Sequence, residues 1–167
     1  MDLHLNMHRM HMRMPHWPAA IVAGIVAGAV LMVLELLYST TTLGHSPWQI
    51  SHKIAAITMG SSVANGADFS VLVVGVALIT HYVLGALFAA VLALILESAH
   101  VTANPGASLF AGALFGLLLY LFNFYVLSGL FPWVAELRSW AAVMGHLLFG
   151  MIAAGMYLRL DWTEPLA

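Results

Sequence analysis

Apolar residues fill four stretches of the chain, roughly Pro18–Tyr38, Ser70–Leu96, Ala107–Leu127 and Ser139–Leu160, and polar residues gather between them. Each stretch meets the requirement of about 20 apolar residues, at about 1.5 Å of rise each, for one helical crossing of a bilayer. Trp17 and Pro18 open the first, where proline costs no hydrogen bond. Ser46-Pro47-Trp48 reads as a cap followed by proline at a helix start, which predicts a short helix to about Met59. That helix is too short to span. It is expected to lie in the interface, with Trp48, Ile54 and Ile57 on its apolar side and His52 and Lys53 toward water. Gly60 to Asp68 is a polar connector, and Asp68 or Ser70 caps the second span. His100 to Gly106, ending in Asn-Pro-Gly, is a turn signal. Span three closes at Ser128-Gly129, Phe131-Pro132-Trp133 forms an interfacial aromatic segment, and Ser139-Trp140 opens span four. The expected fold is an all-α membrane four-helix bundle of two tandem helical hairpins.

Composition agrees with this reading. Hydrophobic residues make up 62% and charged residues 7% of the 167-residue chain, against about 25% charged in a soluble domain. The first stretch exceeds the apolar core of about 7–15 residues in a cleavable signal, and no cleavage site followed by a soluble domain comes after it. Residues 18–167 are therefore expected to form one transmembrane domain, preceded by a distinct segment at 1–17. With no cysteine, disulfides, iron–sulfur clusters and thiolate metal sites are excluded, and five basic residues in all exclude a nucleic-acid footprint. Arg9, Arg13 and Arg159 lie on the side of the termini, and Lys53 and Arg138 on the other, so the positive-inside rule leans to cytoplasmic termini.

The two halves look like copies, repeat one at about 18–97 and repeat two at about 107–160. Ala23-Gly24-Ile25-Val26-Ala27-Gly28 matches Ala111-Gly112-Ala113-Leu114-Phe115-Gly116, and the same offset of 88 pairs Glu35 with Asn123. Gly44-His45-Ser46-Pro47-Trp48 matches Gly129-Leu130-Phe131-Pro132-Trp133 at an offset of 85, and His81-x3-Gly85 matches His146-x3-Gly150 at 65. Copies of a helical hairpin share one orientation, so a pseudo-twofold axis along the membrane normal would relate them. Gly24, Gly28, Gly112 and Gly116 are read as helix-packing positions where backbones approach closely; Asn123 is grouped with them as a helix-joining residue.

Glu35, His81, Asn123 and His146 stand where hydrocarbon should be. From the side of the Pro-Trp loops, Glu35 and Asn123 lie about one turn in, His146 about 10 Å and His81 about 15 Å. Such residues face a bundle interior and pair, so Glu35 is expected to carry a proton or to hydrogen-bond a His or Asn. Four roles are open for the set. The residues hydrogen-bond the helices together; Glu35, His81 and His146 hold copper or another transition metal; His81 and His146 ligate a b-type haem, with Gly85 and Gly150 leaving room for the porphyrin face; or Glu35 and the histidines line a proton or substrate path.

The amino-terminal segment repeats Met and His as His4, Met7, His8, Met10, His11 and Met12, and thioether with imidazole is the ligand set that Cu(I) prefers. Its arginines fit a basic interfacial segment equally. No nucleophile elbow, phosphate loop or zinc-protease helix is present, so the chain is read as non-enzymatic.

Ser46–Gly60 (SPWQISHKIAAITMG), Leu119–Trp133 (LYLFNFYVLSGLFPW) and Gly145–Tyr157 (GHLLFGMIAAGMY) resemble an uncharacterised family of small four-span proteobacterial membrane proteins. Members often carry the label sodium:proline symporter. Symporters of that class have many more spans and broken helices that bind the ion, whereas no span here is interrupted by proline. The resemblance covers about Ala19 to Tyr157 and implies a bacterial inner membrane. From small size and scant extramembrane mass, the leading expectation is an accessory subunit of a larger, respiratory-oxidase-type complex, or a homo-oligomer in the bilayer. Metal handling, a small transporter or proton pathway, and a haem protein are the alternatives.

Overall fold

The computed structural model of the chain describes residues 14–161. Among them are four helices long and apolar enough to cross a membrane. They are α1 (Trp17–Thr41), α3 (Val71–Ser98), α4 (Pro105–Leu121, continued by tighter and wider turns to Gly129) and α5 (Trp140–Asp161). A short helix, α2 (Gln49–Met59), lies between α1 and α3. Side-chain caps fix three helix starts by accepting from otherwise orphaned amides. Ser70 Oγ accepts from Val73 N (3.4 Å), Asn104 Oδ1 from Ala107 N (3.1 Å) and Ser139 Oγ from Ala142 N (3.0 Å). The Asn-Pro-Gly signal thus begins α4 rather than preceding it, because Asn104 caps and Pro105 occupies the first helical position.

Packing follows residue size. α1 lies against α3 to make the first hairpin, α4 against α5 to make the second, and α1 against α5 joins them, while α3 and α4 barely touch. A Cβ on Gly24 would meet the Gly85 carbonyl and Ala86 Cα, and one on Gly112 would meet the Gly150 carbonyl and Ala154. Gly28 faces the His81 ring in the first hairpin; Gly116 abuts the His146 carbonyl in the second. The positions matched in sequence are therefore the ones that meet in space, twice over. Without a hydrophobic force between helices in lipid, such close van der Waals approach is what holds them. Large side chains point outward instead: Val71, Leu72, Ile79, Phe110 and Trp140 are all exposed on the bundle surface.

The half of the bundle around the ends of α3 and α5 is tightly filled. Ala23, Leu92, Leu96, Phe149, Ala154 and Tyr157 belong to one buried cluster. Tyr157 closes it by donating from its hydroxyl to Glu97 Oε1 (2.8 Å) and accepting from His16 N (3.3 Å).

Two elements differ from expectation. The face of α2 expected to be wet is buried. The His52 ring bridges the carbonyls of Val63 (2.9 Å) and Asp68 (3.0 Å), in space that Gly66 leaves open, and Lys53 reaches the second hairpin. Span three is not a continuous α-helix either, since a π turn at Phe122–Val126 and a 3₁₀ turn at Leu127–Gly129 end it. Those turns leave the Phe124 carbonyl free to accept from Ser128 Oγ (2.8 Å) and from Arg138 Nε (2.9 Å) and Nη2 (2.6 Å).

Glycine contacts of this kind make a contrast that thermal unfolding in detergent can read. Gly150→Ala places a methyl group on the Gly112 backbone and is expected to destabilise by about 1–3 kcal/mol, as overpacked cores do. Gly75→Ala meets nothing within 4 Å and is expected to leave the midpoint unchanged or slightly raised. Equal midpoints for the two variants would remove the glycine seam as the source of hairpin stability.

Candidate functional site

Because the tight packing ends partway along the helices, a cavity of about 290 Å³ opens between the hairpins in the half nearer α2. All four intramembrane polar residues line it: Glu35 from α1, His81 from α3, Asn123 from the π turn and His146 from α5. Glu35 is six residues from the end of α1 at Thr41, about 9 Å by helical rise. Phe88, Phe124, Phe131 and Phe149 supply aromatic wall. A second, more polar cavity of about 210 Å³ adjoins the first, with Tyr38, Ser39, His45 and Gln49 among its walls. Glu35, Lys53 and Leu137 border both cavities, so the carboxyl stands at the junction of an apolar chamber and a polar vestibule.

Hydrogen-bond chemistry fixes how the two repeats differ. His81 donates from Nε2 to the Gly28 carbonyl (2.9 Å), which leaves Nδ1 as a bare acceptor. The Ala142 carbonyl can only accept, so His146 donates to it from Nδ1 (2.8 Å). With one proton on the ring, Nε2 of His146 must accept, and Asn123 Nδ2 donates to it at 3.2 Å. That arrangement leaves Asn123 Oδ1 buried without a partner. Glu35, the residue matched to Asn123, makes no hydrogen bond or ion pair among the described residues. The second repeat closes its own histidine; the first leaves its carboxyl open.

A cover of two segments lies over the chamber. Lys53 of α2 pairs with Glu136 in the 3₁₀ segment Pro132–Leu137 (2.6 Å), and Trp133 Nε1 donates to the Lys53 carbonyl (3.0 Å). Arg138 ties the end of that segment to the π turn through the Phe124 carbonyl and lies over the Tyr125 ring, 4.4 Å from its centre. Lys53 is buried although Glu136 is mostly exposed, so the pair anchors the cover at its wet edge.

Several expectations need correction. Glu35, His81 and His146 line one cavity but do not converge, and among the described residues no three His, Asp or Glu side chains could hold a metal ion. Both His146 nitrogens are engaged by protein atoms, which removes them as ligands. The porphyrin space expected beside Gly85 and Gly150 is filled by the backbones of Gly24 and Gly112, so the residues do not fit a bis-His haem. Of the two states expected for Glu35, the bond to a His or Asn is absent among the described residues. His4, Met7, His8, Met10, His11 and Met12 lie outside the described residues, and the copper reading of that segment with them.

Sequence reasoning missed Lys53 and Glu97. An amphipathic pattern cannot show that a neighbouring hairpin will cover the polar face, and Lys53 has its counter-charge at Glu136, 83 residues away. Glu97 reads as a span terminus, and only the α3–α5 packing brings Tyr157 to it.

Asn123→Leu tests the closed half of the site. It strips the donor from His146 Nε2 inside the bundle, and leaving a buried acceptor unmet costs about 1–3 kcal/mol. A lowered unfolding midpoint in detergent is the expected result, and an unchanged midpoint would deny the Asn123–His146 bond a structural role. In comparisons with family models, curated proteins and solved structures, the chain matches none.

Proposed function

We propose that this is a non-catalytic multi-pass protein of a bacterial inner membrane that takes up a small ligand within the bilayer, in the chamber between its two hairpins. One observation carries the reading: a largely apolar cavity with a few polar groups on its wall, the general form of a small-molecule site. Its volume of about 290 Å³ stands at the lower edge of the usual range of about 300–1,000 Å³, so the ligand is small. The polar vestibule supports access from the membrane face on the α2 side.

Conduction across the whole membrane draws less support, because Leu92, Leu96 and Tyr157 fill the opposite half. The place in a larger respiratory-type complex loses one of its arguments. The glycine faces that suited docking are used inside the hairpins; small size and scant extramembrane mass remain in its favour.

The native chain contains no cysteine, which makes single-cysteine labelling a clean test. In membranes, Leu137→Cys and Ile54→Cys at the cavity wall are expected to react with a small permeant thiol reagent. Ala154→Cys, in the filled half, is expected to react at least about tenfold more slowly, as inaccessible thiols do. Equal protection at all three positions would overturn the chamber as a ligand site.

A further inference from the structure

The chamber's unused hydrogen-bonding capacity is one-sided. Glu35 offers two carboxyl oxygens with no partner among the described residues, and His81 offers Nδ1 because its proton sits on the nitrogen facing Gly28. Asn123, which lines the same chamber, has in its buried Oδ1 a further acceptor with nothing to accept from. The donors nearby are engaged. Asn123 Nδ2 serves His146, and Arg138 serves the Phe124 carbonyl. Formal charge is one-sided as well. Lys53 is paired with Glu136, so among the described residues Glu35 is the carboxyl on the chamber wall that no cation answers. Beyond these groups the wall is apolar, and its Phe rings have faces that attract cations. The α3–α4 side, where the two helices barely touch, lacks the close packing that closes the α1–α5 side.

From this we propose that the ligand is a small lipophilic ammonium, an N–H cation on a compact apolar body, bound with its nitrogen at Glu35 and its body among the phenylalanines. The inference rests on the chamber being a ligand site. A cation with several N–H groups answers both oxygens of a carboxylate together, which a hydroxyl with one proton cannot do. A compact apolar body suits the cavity volume and the apolar wall. An anionic molecule would meet Glu35 in a low dielectric and would have to take Lys53 from Glu136.

The experiment uses the full chain in nanodiscs and four probes of one shape: phenylethylammonium, phenylethyl alcohol, phenylacetate and ethylbenzene. Isothermal titration reads each against the native protein and against Glu35→Gln, with the unfolding midpoint as a check on folding. The ammonium is expected to bind at least about tenfold tighter than the alcohol or the hydrocarbon, the margin of a charge-assisted hydrogen bond. Glu35→Gln is expected to erase that margin while leaving ethylbenzene binding unchanged. Should Glu35→Gln not fold, the ranking of the four probes on native protein decides alone. Equal binding of all four sinks the ammonium assignment but keeps the chamber as a ligand site. Preference for phenylacetate sinks it also, and names Lys53 as the anchor. Binding of none sinks both this assignment and the chamber reading.

Discussion

Inside a bilayer, two helices gain nothing by hiding apolar surface from each other, because lipid tails are as apolar as leucine. What remains is contact itself, and contact is closest where neither backbone carries a side chain. Gly24 against Gly85, and Gly112 against Gly150, bring carbonyl and Cα of facing helices together. Everything else in the bundle is placed by these two seams. They set which faces of α1, α3, α4 and α5 turn inward, and they place each histidine one turn from a glycine of its seam, Gly85 or Gly150.

The same seams explain the cavity. Where small residues alternate with Leu92, Leu96, Phe149 and Tyr157, the space between hairpins is filled. Toward α2 the wall of the chamber is made of residues from six separate segments. α2 and Pro132–Leu137 close it from above through the Lys53–Glu136 pair and the Trp133–Lys53 bond. Polar groups in such a place must find partners, since water cannot reach them freely. Asn123 and His146 find each other, Glu97 finds Tyr157, and His81 finds the Gly28 carbonyl. Glu35 is the exception, and an ionisable intramembrane group without a partner is a mark of function.

Near-symmetry sharpens that contrast. Asn123 and Glu35 occupy matched places, and both line the chamber. The π turn at Phe122–Val126 presents Asn123 to α5, and wide turns of this kind recur at functional sites. α1 has no such turn, so it carries Glu35 past His81 without a bond. Asn123 makes a structural pair with His146, whereas Glu35 keeps an open carboxyl.

The four spans, their limits within a few residues, the glycines that pack and the four polar residues that face inward were legible in the sequence. Length, hydropathy and small-residue spacing act locally, and a helix in lipid must satisfy its own backbone. Three things were decided by tertiary structure. The burial of Lys53 depended on a partner 83 residues away. The π turn depended on Arg138 arriving to meet the freed Phe124 carbonyl. Whether Glu35, His81 and His146 would converge on an ion or only share a wall depended on helix rotation, which the seams fix and no periodicity encodes. Local chemistry writes the elements; distances between them come from how two hairpins, each closed by its own glycines, meet along α1 and α5.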